Sequence, residues 1–395
     1  MASYSATERR QSGGGTSLLY DPRLRGIFYQ VVVLLPLLIY WIVGNTITNL
    51  QRANIASGFG FLNGRAGFDI SQTLISYSSD STYGRAILVG LMNTLYVAGL
   101  GVVLASIIGF LVGIGRLSRN WLIRKICMVY VEIFRNIPPL LVIFFWYFGV
   151  LSVLPQARES LSLPLGSYLN NRGFFMPSPV WGEGAWLLPV ALLLGIVVSF
   201  FVARWAKRRQ MATGQPFHTV RVSAALIIGL PLLALIVTGF PVSFDFPKLG
   251  TFNLTGGAQV KPEFLALLLA LSFYTASFIA ETVRAGVLGV NKGQTEASYA
   301  VGLRPGQTMR LIIVPQALRI IIPPLSSQYL NLIKNSSLAI AIGYPDLVAV
   351  GGTILNQTGQ AVEVVAVWMV IYLGISLIVS VLMNWFNAKM ALVER

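Results

Sequence analysis

The chain has 395 residues, 55% of them hydrophobic and only 11% charged, with a mean hydropathy of +0.70. Soluble domains carry about a quarter charged residues, so this composition excludes an ordinary globular enzyme and indicates an integral membrane protein, helical rather than barrel because its apolar runs are continuous. The net charge of +15 sits in short loops between apolar runs, which is the pattern of a topology signal facing a lipid bilayer and not of a nucleic-acid surface.

Residues 1–27 are polar, with Gly13–Gly15 and the cations Arg9, Arg10, Arg23 and Arg25, and read as an N-terminal tail. The first apolar run begins late, is long and lacks a small-residue cleavage site, so it predicts an uncleaved span. Eight spans of roughly 20 residues are expected, at about 28–47, 87–113, 136–154, 184–203, 223–241, 264–284, 323–343 and 364–386. With the N-terminus inside, inner segments carry 20 Lys and Arg against 7 in outer segments. The bias predicts both termini in the cytoplasm. The reading is an all-α polytopic protein. A first helix and outer loop occupy 28–85, a transmembrane domain 86–386 with inserted helices at about 155–262, and a short inner tail 387–395.

Cys127 is the sole cysteine and His218 the sole histidine, so neither a disulfide nor a His-based metal site is expected, and no cofactor. No G-x-x-x-x-G-K-[ST] is present, so the chain supplies no P-loop ATPase of its own. Gly109–Gly113 is a GxxxG that permits close helix approach. Glu132 and Arg135 are an i, i+3 pair just before Pro138 and Pro139, which break the helix; the stretch reads either as the inner entry of the third span or as backbone opened beside a watery cavity. In the sixth span Tyr274, Ser277 and Glu281 recur on one helical stripe, with Arg284 one turn on from Glu281. The carboxylate has two readings, an intrahelical pair with Arg284 or a path-lining group that meets a ligand ammonium. Asn331 and Lys334 make a polar patch in the seventh span that serves either helix packing or a ligand.

Between spans six and seven lies Glu296–Pro315, EASYAVGLRPGQTMRLIIVP. Ala297, Ala300 and Val301 share one small apolar face. Gly302 suits the left-handed position after a helix, and Pro305 the first turn of a second helix. The stretch predicts two short helices on the inner side.

Glu296-Ala297-Ser298, then Gly302, Ile312 and Val314-Pro315, resembles the EAA loop of ABC importer inner-membrane permeases, with Ser298 for the usual third Ala and Val314 for the usual Leu. Phe134–Pro139, Ala280–Gly286, Pro315–Arg319 and Asn331–Leu338 resemble the polar amino-acid (HisMQ-like) branch of that family. The extra first span and the inserted pair resemble the Q-type subunit of general L-amino-acid permeases. The resemblance implies a MetI-like core and an ATP-driven permease for L-amino acids that performs no covalent chemistry. It also implies a cytoplasmic ABC ATPase dimer, a second related permease subunit and a periplasmic amino-acid-binding protein as partners. By the same resemblance, residues 287–322 form the coupling loop, with Glu296, Ala297, Ser298, Gly302, Arg304 and Pro305 at the ATPase. Glu281 matches an acid suited to the substrate's charge. A secondary transporter driven by an ion gradient is the competing reading, and a membrane-embedded enzyme a more distant one.

Overall fold

The computed structural model describes residues 22–52, 58–250 and 253–390. The tail at 1–21, its glycines and the last five residues lie outside them. The described chain is mostly helical, 73%. Seven helices are long and apolar enough to cross a membrane, and one sharply bent pair makes up to eight.

The helices are α1 (Pro22–Arg52), α2 (Tyr83–Gly115), α3 (Trp121–Asn136), α4 (Pro139–Phe144), α5 (Leu187–Thr213), α6 (Thr219–Val237), α7 (Pro262–Leu288), α8 (Lys292–Ala300), α9 (Pro305–Thr308), α10 (Val314–Asn335), α11 (Leu347–Thr358) and α12 (Ala361–Met390). Their starts follow local chemistry. Thr82 Oγ1 accepts from Arg85 N at 3.2 Å, and Asn120 Oδ1 from Leu122 N at 2.9 Å, each satisfying an orphan first-turn donor.

The core is built on α2 and α7, with α10 and the wide-turned segment Phe145–Leu151 packed around them. Gly109 and Gly113 let α2 lie directly on α7. A Cβ at Gly109 would sit 2.6 Å from Ile279 Cβ, and one at Gly113 would sit 2.7 Å from Val283 Cβ. The GxxxG therefore packs helix on helix, as small residues do where there is no water to drive association. At one end, α11 is pinned to α2. Leu347 N donates to Thr94 Oγ1 at 3.0 Å, and Asn93 Nδ2 donates to Pro345 O at 2.9 Å.

Three expectations change. The third span is not a continuous run over 136–154. Pro138 and Pro139 bend the chain by 112° between α3 and α4, and the part beyond, Pro139–Leu151, is too short to cross alone at about 1.5 Å per residue. The polar stretches between the expected spans contain strands. β1 (Leu161–Leu163), β2 (Ser167–Asn170), β3 (Gly173–Met176) and β8 (Ala258–Val260) form an antiparallel sheet in the order β1-β2-β3-β8. β4 (Ser178–Trp181) pairs with β5 (Val242–Asp245), and β6 (Lys248–Leu249) with β7 (Leu254–Thr255). The seventh span begins earlier than 323: α9, a wide turn at Met309–Ile313, α10 and a tight turn at Ser336–Ile342 run on without a loop.

The inserted helices α5 and α6 pack mainly on each other. Gly195, Ser199 and Ala206 are the buried residues of α5, and a Cβ at Gly195 would lie 2.8 Å from Leu226 O. The sheet and the β4–β5 ribbon close this hairpin at its other end. α1 exposes its apolar side chains from Phe28 to Val43.

Candidate functional site

α8 ends in a Schellman motif. Leu303 N donates to Ser298 O at 3.1 Å and Gly302 N to Tyr299 O at 2.9 Å, with Gly302 at φ +80°. Nothing lies within 4 Å of where a Gly302 Cβ would point, so the glycine is there for its backbone and not for space. Arg304 caps the next helix, where its N–H donates to Gln307 Oε1 at 3.1 Å and Pro305 takes the first helical position.

The hairpin is tied internally. The hydroxyls of Ser298 and Thr308 lie 3.0 Å apart, both buried. Gln316 Nε2 donates to Gln294 Oε1 at 3.2 Å. Its outer surface is open. Glu296, Ala297, Ala300, Gly302, Arg304 and Pro305 are exposed, as is Val301 at 75%. Five of the six residues expected at the ATPase thus share one solvent-facing tip, and the sixth, Ser298, braces it from inside. The second helix is not short, since α9 continues into α10 through the wide turn.

The second set of residues divides. Tyr274 and Asn331 line a cavity of about 330 Å³ together with Pro139, Thr275, Phe278, Gln328 and Asn335. Gln328, Asn331 and Asn335 fall at i, i+3 and i+7 of α10, one helical face. Ser277 is fully buried, and its hydroxyl donates to Tyr274 O at 2.7 Å. Lys334 is exposed and outside the cavity lining. The stripe Tyr274–Ser277–Glu281 is therefore not one wetted surface.

Glu281 stands in an arginine cluster. Arg284 Nη2 donates to it at 2.6 Å, Arg116 pairs with it from the end of α2, and Arg135 Nη1 lies 3.9 Å away. The intrahelical pair with Arg284 is present, but Arg116 and Arg135 turn it into a clasp across α2, α3 and α7. Arg135 pairs with Glu281 rather than with Glu132, and its guanidinium sits 5.6 Å over the Phe278 ring, whose residue lines the cavity. Arg116 and Gln328 carried no signal of their own in the sequence. Arg116 looked like one of several loop cations, and Gln328 sits three residues before Asn331 on a face whose orientation the helix period alone does not give.

Among the described residues no group of three or more His, Cys, Asp or Glu could hold a metal. The exposed tip is joined, without an intervening loop, to a polar cavity between α4, α7 and α10.

A family model described as binding-protein-dependent transport system inner membrane component matches residues 195–392. Over 381 residues, 96% of this chain and 95% of the relative, the chain is 65% identical to the general L-amino acid transport system permease protein AapQ of Rhizobium johnstonii. It is 50% identical over 392 residues to YhdX of Escherichia coli, covering 98% of this chain and 100% of that one. It is 44% identical to the glutamate/glutamine/aspartate/asparagine transport system permease protein BztB of Rhodobacter capsulatus, covering 96% of each. The chain belongs to the binding-protein-dependent transport system inner membrane component family, the multi-pass MetI-like permease subunits of ABC importers, which carry substrate while a separate subunit hydrolyses ATP.

Proposed function

We propose that the chain is the amino-acid-conducting permease subunit of an ATP-driven importer, handling L-amino acids. The observation that carries this reading is near full-length identity of 65% and 44% to permeases whose names specify amino-acid transport. The exposed hairpin tip agrees with it, because a chain without a P-loop needs a handle for an external ATPase.

Both termini and the Glu296–Pro315 hairpin face the cytoplasm in this reading, as the cation bias predicts. An ABC ATPase dimer grips Glu296, Ala297, Gly302, Arg304 and Pro305, with Ser298 bracing the grip. A second, related permease completes the pathway, and a periplasmic amino-acid-binding protein delivers substrate to the outer side. Residues 86–386 form the transmembrane unit, 155–262 its insertion. Tyr274 and Asn331 contact substrate in the cavity between α4, α7 and α10. Glu281 and Arg284, clasped with Arg116 and Arg135, set the charge beside it, while Ser277 and Lys334 shape the surrounding helices. ATP binding shifts a two-state equilibrium of the bundle through the differential grip on the hairpin.

Proteoliposomes holding the assembled permease, ATPase and binding protein test this reading. Uptake of labelled L-amino acids should need internal-face ATP and persist when the pH gradient is collapsed. Uptake driven by a pH gradient without ATP would establish the ion-gradient alternative instead.

A further inference from the structure

The inserted hairpin carries a feature that import does not use. Between Gly184 and Phe244 no carboxylate occurs, yet Arg204, Lys207, Arg208, Arg209 and Arg221 gather at one end of the α5–α6 pair. Among the described residues no ion pair to a carboxylate engages any of the five. Arg209 instead lies 5.5 Å over the Trp205 ring.

Three of these cations share a stripe. Phe200, Ala203, Arg204, Lys207, Arg208 and Met211 stand at i, i+3, i+4, i+7, i+8 and i+11 of α5, one face of an α-helix. All six are exposed, Phe200 at 60%. Gly195, Ser199 and Ala206, buried against α6, lie on a separate side of α5 that only Ala203 of the stripe adjoins. The stripe is therefore turned away from the helix that α5 packs on. α5 spans about 40 Å at 1.5 Å per residue, roughly 10 Å more than the hydrocarbon core. A helix of that length places its basic end past the acyl chains at headgroup level if the helix spans the bilayer, with Phe200 and Ala203 toward the core.

We propose that this stripe binds an anionic phospholipid. Arg204, Lys207 and Arg208 receive the headgroup phosphate, and Phe200 and Ala203 lie along an acyl chain. Charge complementarity selects the occupant: among the described residues the face is cationic with no carboxylate paired to it, and apolar immediately below, which fits a phosphate with a chain attached. The site holds the inserted hairpin, which packs little on the α2–α7 core, in register with the inner leaflet. Each cation near an anionic surface is worth about fivefold in affinity, so three together supply on the order of a hundredfold before salt screening.

The assembled permease, purified in mild detergent and exposed to phosphatidylcholine micelles doped with cardiolipin or phosphatidylglycerol, provides the test by native mass spectrometry. The triple variant Arg204→Gln/Lys207→Gln/Arg208→Gln should bind the doped lipid at least tenfold more weakly. Arg209 and Arg221 remain to keep the topology. Phe200→Ser should weaken it severalfold. A control, Arg119→Gln/Arg124→Gln/Lys125→Gln at the turn between α2 and α3, should stay within twofold of the wild type. Equal behaviour of the two triple variants overturns the proposal, because binding then reflects overall charge or an adventitious additive only. Displacement of the lipid by millimolar inorganic phosphate would also overturn it, in favour of a soluble anion.

Discussion

The hydroxyls of Ser298 and Thr308 meet at 3.0 Å inside the Glu296–Pro315 hairpin, both shielded from solvent. They join the last turns of α8 to the first of the next helix, so the tip moves as one body. Ser298→Ala takes from the buried Thr308 hydroxyl its Ser298 partner, which costs about 1–3 kcal/mol, whereas Thr308→Val costs less, because Ser298 Oγ keeps its bond to Thr295 O at 2.7 Å. Ser298→Ala and Thr308→Val should each lower the thermal midpoint of the purified permease and loosen ATPase co-purification. The double variant should regain most of the loss, since two apolar groups leave nothing unpaired. Additive losses in the double variant would mean that the two hydroxyls do not depend on each other.

Gly302 has room for a side chain but not the backbone for one. At φ +80° an alanine pays about 1–2 kcal/mol in left-handed strain, whereas asparagine tolerates the conformation better. Gly302→Asn should retain transport, and Gly302→Ala should reduce it moderately. Gly302→Asp, which sets a carboxylate on the open tip, should insert normally yet lose ATPase co-purification more than tenfold. Normal ATPase binding by Gly302→Asp would move the dock elsewhere.

Gly109 has backbone freedom to spare but no room. Its Cβ would meet Ile279 Cβ at 2.6 Å and Ala276 O at 3.0 Å, neither of which can swing aside. Gly109→Ala should force α2 off α7 and destabilise the protein by about 1–3 kcal/mol, read as a lower melting temperature. Gly99→Ala on the same helix, with nothing within 4 Å, should be neutral.

Glu281 neutralises more than one arginine, so Glu281→Gln should cost stability as well as transport. Complete burial would put the loss at 3–5 kcal/mol. Here Arg284 is 32% exposed and Glu281 25%, and about 2 kcal/mol is expected. Adding Arg116→Gln should return part of the lost melting temperature. If Glu281→Gln melts like the wild type and only transport falls, the carboxylate acts on substrate and not as a clasp.

Most of the topology was legible because lipid demands long apolar helices with their backbone groups satisfied internally, and GxxxG and the Gly302–Pro305 pair carry local geometry in their residue types. The break at Pro138–Pro139 was visible as two prolines, but not its 112° bend, which depends on what α3 packs against. The strands at 161–260 were hidden since each is two to four residues long, too short for alternation to register. Within the site, Gly302 and Pro305 announced themselves through backbone demands. The partners of Glu281 did not, because Arg116 is 165 positions away and only the α2–α7 contact brings it in.

The uninterrupted run from Pro305 to Ile342 works as a connecting rod about 57 Å long at helical rise. No loop separates the hairpin from Asn331 along this run. Its regular ladder changes at the wide turn Met309–Ile313, where Val314 N donates to Met309 O, and loses donors at Pro323 and Pro324. If an ATPase grips the hairpin as proposed, displacement is expected to pass along this run and to be bent at those two joints, so their spacing, together with the grip, sets the stroke at the cavity.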